Sequence, residues 1–99
     1  MFNPFKLFGG TQVNYRELVQ QGAIIIDVRS PDEFRGGHIA GSRNIPVDQL
    51  SGKIADLKKV AQPVIAVCTS GMRSGMAKTM LTAAGITAYN GGPWSSLQT

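Results

Sequence analysis

Apolar residues along this chain fall into short continuous runs and, between them, into stretches with helical spacing, and the two patterns alternate. Residues 23–28 form an apolar run broken only by Asp27, and residues 64–67 form a second, opened by Pro63. Runs with no polar alternation predict strands covered on both faces, which points to a parallel sheet. Around them the period lengthens. Tyr15, Leu18 and Val19 share one face of a helix predicted over 14–21, with Asn14 and Glu17 as its capping pair and Gly22 as its stop. Ser30-Pro31-Asp32-Glu33 is a helix start with serine cap, proline at the first position and glutamate at the third, and Gly36-Gly37 ends that helix early. Leu50, Ile54 and Leu57, three and four apart, place one or two short helices within 48–60. From Arg73 to Ala84, Met76, Ala77, Met80, Leu81 and Ala84 recur at helical spacing, which assigns Met76 and Met80 to the core, and Gly85 is the stop.

Three weaker elements complete the pattern. Residues 41–46 read as a loop with a strand of two or three residues, and Thr87 to Tyr89 as a last short strand. Asn90-Gly91-Gly92-Pro93 reads as a turn into a short helical segment around Trp94 to Leu97. Alternating strands and helices imply a three-layer α/β domain. In such sheets ligands sit beyond the carboxyl ends of the strands. Asp27 and Arg29 close one strand and Cys68 another, so both should open on the same face.

Length and composition narrow the picture. Ninety-nine residues suit one domain, and 42 % hydrophobic content is ordinary for a globular chain. We divide the chain into an apolar N-terminal arm, residues 1–10 with Gly9-Gly10 as its hinge, and a single domain over 11–99. The arm lacks the continuous apolar stretch of a signal peptide, which leads to an expected cytoplasmic location. No run reaches membrane-spanning length. The formal charge of +4 is spread out, and no basic run is interleaved with aromatics, so neither a membrane nor a nucleic acid is an expected partner. One cysteine and one histidine leave no metal-ligand cluster, and no cofactor is expected.

Candidate chemistry centres on Cys68. It ends the second strand, and Thr69-Ser70-Gly71-Met72-Arg73-Ser74 leads from it into the helix. A thiol placed there can receive the loop's N–H groups, and the positive end of the helix favours its anion. Gly71 lets the loop take the tight turns that aim its amides inward. Thr69 and Ser70 are small enough for an anionic donor to pass. Arg73 would attract that donor or brace the loop. Met72 is either an exposed loop side chain or part of the pocket mouth. Asp27 and Arg29 are expected to be structural, with Glu33 as a candidate partner for Arg29. His38 is expected to fix loops by hydrogen bonds. Trp94 is expected to pack.

The segment from Cys68 to Ser74 resembles the active-site loop of the rhodanese family. Asp27-Val28-Arg29 with Glu33-Phe34 is similar to that family's first signature, and Gly37-His38-Ile39-Ala40-Gly41-Ser42 with Asn44-Ile45-Pro46 to its second. Gly91-Gly92 with Trp94 is similar to its C-terminal end. The likeness runs from about residue 11 to 97, with each block in order, and is to the small single-domain type. It implies a three-layer α/β/α domain with a mainly parallel five-stranded sheet. It also implies transfer of a sulfane sulfur from thiosulfate or a persulfide, through a Cys68 persulfide, to cyanide, a thiol or another thiophilic acceptor.

Other readings have specific discriminators. A sulfur-carrier domain, loaded and unloaded by relay proteins, would show the same chemistry with a different donor. Phosphatase or arsenate-reductase chemistry occurs on this fold, but the dual-specificity phosphatases place five residues between cysteine and arginine. Here there are four, a cradle suited to one sulfur atom and too tight for a tetrahedral oxyanion. A binding module without catalysis would typically lack the cysteine. A cysteine protease needs a histidine in reach of the sulfur, and His38 is the only one.

Overall fold

The computed structural model describes residues 13–97. The expected arm over 1–10 lies outside them. Four parallel strands, β1 (Ile24–Asp27), β2 (Arg43–Asn44), β3 (Val64–Cys68) and β4 (Ala88–Pro93), run in the order β2-β1-β3-β4. The α/β class and the parallel sheet are as the pattern predicts. The resemblance implied five strands, and the described residues carry four.

Helix α1 (Tyr15–Gln20) begins where the Asn14 side chain accepts the Glu17 N–H at 3.0 Å. In α2 (Pro31–Arg35) the capping box is complete: Ser30 Oγ accepts the Glu33 N–H, and Glu33 Oε1 accepts the Ser30 N–H. The stretch 48–60 divides into a 3₁₀ segment, Val47–Lys53, and α3 (Ile54–Val60). Helix α4 (Met72–Ala83) follows β3, and a 3₁₀ turn, Trp94–Ser96, follows β4. No helix among the described residues is long and apolar enough to cross a membrane.

Strand alternation sorts the core. Val64, Ala66 and Cys68 lie on one face with Leu50, Leu57, Ala77 and Leu81 from the 3₁₀ segment, α3 and α4. Ile65 and Val67 lie on the other with Tyr15, Leu18 and Val19 of α1 and with Trp94. All five residues of β3 are fully buried, and each large aliphatic side chain so placed contributes roughly 1.5–3 kcal/mol. The site is thus mounted on the best-packed strand.

Two expectations are corrected. Met76 is not in the core: it is 59 % exposed, and Met72 is 77 % exposed. The buried side of α4 is Ser74, Ala77 and Leu81. At 100° per residue, Met72 and Met76 lie on the opposite side, whereas Met80 packs at the core's edge. The second correction is at β4. Asn90 to Pro93 is strand and not turn, because its backbone pairs with β3 through an irregular register in which Ala66 faces Asn90 and Val67 faces Gly92.

Candidate active site

Parallel pairing brings the carboxyl ends of β1 and β3 together, with Asp27 opposite Val67. Cys68, one residue further, points toward α4 and has no solvent contact. Gly71 takes φ +95°, which a side chain would strain. This turn delivers its N–H to Cys68 Sγ at 3.0 Å. Ser74, in the first turn of α4, adds its N–H at 3.4 Å and its hydroxyl oxygen at 3.3 Å. These amides belong to the helix start, where N–H groups lack intrahelical partners. The sulfur supplies one.

Burial pushes the Cys68 thiol up. The Ser74 hydroxyl, then the amides of Ser74, Gly71 and Ser70, more than reverse it, and the thiol ends below its ordinary value. Ionisation therefore begins at lower pH than in a free cysteine. Alkylation by iodoacetamide should persist into that lower range and decline as pH falls through the depressed value. A profile coinciding with that of free cysteine would show that the amides do not act on the sulfur.

Arg73 stands in a brace. Its Nη1 and Nη2 donate to Glu33 Oε1 and Oε2 at 2.7 and 3.0 Å, and Nη2 lies 3.4 Å from Thr69 Oγ1. Thr69 Oγ1 also donates to Glu33 Oε2 at 3.3 Å. The Arg73 guanidinium, followed by the Ser30 amide, holds the Glu33 carboxyl well below the usual carboxylate range. One carboxylate thus caps α2 and ties it to both ends of the Cys68 loop. Arg73 also borders a cavity of about 200 Å³ shared with Val28, Ser30, Val47 and Asp48.

The expected Arg29–Glu33 pairing is corrected. Arg29 reaches only the Glu33 main-chain oxygen, at 3.3 Å, and its carboxylate partner is Asp27. Arg29 Nε donates to Asp27 Oδ1 at 2.9 Å, and Nη2 to Oδ2 at 2.6 Å. Nη2 also donates to the Gly37 carbonyl at 2.7 Å, and the guanidinium lies 4.7 Å from the centre of the Trp94 ring. Both charged residues are buried. They hold the loops beneath the site. His38 contacts Phe34: its Nδ1 is 2.7 Å from the Phe34 carbonyl, and its ring stacks on the Phe34 ring at 3.7 Å. Ser70 and Met72 point to solvent. Among the described residues no cluster of His, Cys, Asp or Glu could hold a metal ion.

One site residue escaped the sequence reading. Asn90 Oδ1 accepts the Ser74 hydroxyl at 2.6 Å, and its Nδ2 donates to the Gly71 carbonyl at 3.0 Å. Its face follows from alternation with Ala88, but only once β4 is known to continue past Tyr89.

A parallel α/β sheet with a cysteine cradled at a strand end, above a buried Asp–Arg pair, defines a sulfur-centred site. The chain belongs to the rhodanese-like domain family, which matches residues 11–93. It is 45 % identical over 69 residues to the uncharacterized protein YqhL of Bacillus subtilis, covering 69 % of this chain and 54 % of that one. It is 36 % identical over 74 residues to the thiosulfate sulfurtransferase GlpE of Pseudomonas aeruginosa, covering 75 % and 64 %. Among solved structures it is similar to a rhodanese with anions from Escherichia coli, with TM-score 0.72, 29 % identity and coverage of 79 % and 94 %. The chain spans about half the length of the Bacillus relative.

Proposed function

We propose that this protein is a sulfurtransferase working through a persulfide on Cys68. The observation that carries the proposal is the cradle itself: two amides and one hydroxyl within 3.4 Å of a single sulfur. Such donors stabilise an anionic sulfur and leave it the nucleophile.

In the first half-reaction the Cys68 thiolate attacks the outer sulfur of thiosulfate. A Cys68–sulfur bond forms, the sulfur–sulfur bond of thiosulfate breaks, and sulfite leaves with the bonding pair. In the second, a thiophile such as cyanide attacks the outer sulfur of the persulfide. Thiocyanate departs and the Cys68 thiolate returns, so no net oxidant or reductant is needed. Arg73 and Glu33 keep the loop closed around the sulfur in both steps. The exposed Thr69 and Ser70 form the approach to the sulfur.

Mass spectrometry tests the reading. Wild-type protein treated with thiosulfate should gain the mass of one sulfur atom and lose it again on addition of cyanide. No gain from thiosulfate or from a protein persulfide donor would overturn the proposal. Faster loading from the protein donor would identify a relay role for the same cysteine.

A further inference from the structure

The Asn90 side-chain amide touches both Ser74 and Gly71 of the sulfur's cradle. The orientation of its side-chain amide is settled by its neighbours. The Gly92 N–H lies 3.0 Å from Oδ1 and the Gly71 carbonyl 3.0 Å from Nδ2. A flipped amide would set donor against donor and acceptor against acceptor at these two contacts. Ser74 Oγ, 2.6 Å from the same Oδ1, must therefore donate its only proton there. The contact between Ser74 Oγ and Cys68 Sγ at 3.3 Å then has one consistent assignment, with the S–H donating to the hydroxyl oxygen. When the sulfur loses its proton to solvent it can no longer donate, and the best remaining donor beside it is the Ser74 hydroxyl.

We propose that Asn90 is a positioning residue that holds the Ser74 hydroxyl proton away from Cys68 while the sulfur is protonated, and releases it to the sulfur once the sulfur is an anion. Ser74 keeps its proton throughout, and only the rotor turns. The turn is inexpensive because Asn90 Oδ1 retains the Gly92 N–H, so no acceptor is orphaned.

Two features of the backbone are arranged for this amide. The irregular register of β4 passes over Gly91 and sets Asn90 opposite Ala66, on the α4 side. Within α4, residue 75 is glycine, a poor helix former, and a Cβ there would come within 3.2 Å of Asn90 Nδ2. The titratable and charged groups facing Asn90 and the loop are Tyr15 of α1, whose hydroxyl donates to the Asn90 main-chain carbonyl at 3.1 Å, the Arg73–Glu33 pair of α4 and α2, the Asp27–Arg29 pair at the end of β1, and Asp48 of the 3₁₀ segment, which lines a cavity with Arg73. The Tyr15 bond is to the Asn90 main chain and the charged groups make no hydrogen bond to Asn90 or Ser74, so side-chain substitutions at these two positions leave all of these contacts in place.

The inference rests on Cys68 as the reacting sulfur, but its test reads the sulfur's ionisation directly and needs no sulfur transfer. Thiolate absorbance is titrated against pH in wild type, Asn90→Ala, Ser74→Ala and the double variant. Asn90 is exposed, so its replacement removes little packing. With Ser74 present, Asn90→Ala should move the midpoint to lower pH, raising the ionised fraction below the midpoint about threefold. In the Ser74→Ala background the same change should have no effect. An equal shift in both backgrounds, no shift in either, or a shift to higher pH would overturn the proposal. Ser74→Thr, which keeps the hydroxyl, should retain the Asn90 dependence, and its failure to do so would count against it equally.

Discussion

Cys68→Ser should take up no sulfur from thiosulfate and reduce thiosulfate:cyanide turnover at least roughly 10³-fold, to background. The substituted hydroxyl would sit among the same partners, the Gly71 and Ser74 amides and the Ser74 hydroxyl oxygen, but it would remain protonated and offer no comparable nucleophile. The cradle also stabilises an anion that oxygen does not form at neutral pH. Because serine can use the same hydrogen-bond partners, its unfolding free energy should stay within about 2 kcal/mol of wild type. Denaturant titration alongside the assay separates lost chemistry from lost fold. A folded Cys68→Ser protein that still turns over thiosulfate and cyanide would transfer the reaction to another group.

Asp27→Ala should destabilise the protein by about 3–5 kcal/mol, a large part of a typical domain's stability. The Arg29 guanidinium would remain buried without its carboxylate, keeping only the Gly37 and Glu33 carbonyls and the Trp94 face. Three further hydrogen bonds to the main chain of Asp27 and Arg29 run through this region. The Asp27 carboxylate accepts the Arg29 N–H at 3.1 Å, and Asn44 Nδ2 donates to the Asp27 and Arg29 carbonyls at 3.0 and 2.9 Å. The double variant Asp27→Leu/Arg29→Met should recover part of the loss, because it removes both charges together. It should not recover all of it, since the Gly37 carbonyl loses its donor. Urea midpoints measure both. A loss below about 1 kcal/mol in Asp27→Ala would show that solvent reaches the guanidinium once the carboxylate is gone.

The elements that could be read from the chain are those whose signals are local. The caps of α1 and α2, the strands around Ile26 and Ala66, and the turn at Gly71 depend on residues within four positions of one another. What could not be read depends on distant partners. Arg73 and Glu33 are forty residues apart, and nothing in either segment shows that one carboxylate serves both a cap and a loop. Asn90-Gly91-Gly92-Pro93 has the composition of a turn, and only its pairing with β3 makes it a strand. That missed strand also concealed Asn90. Met76 satisfies the spacing of a core stripe, yet the facing surface of the sheet selects Ser74, Ala77 and Leu81. Cys68 and its loop were legible because the block carries its own geometry. The residues that support it were assigned less well, since each is defined by what it touches.

The alternation along β3 has an evolutionary corollary. Val67 and Cys68 face opposite sides of the sheet, so a one-residue insertion or deletion between Pro63 and Cys68 would exchange their environments. The thiol would then lie among Ile25 and Trp94, remote from the start of α4. Descendants of this chain can therefore exchange one aliphatic for another along the segment, but its length is frozen.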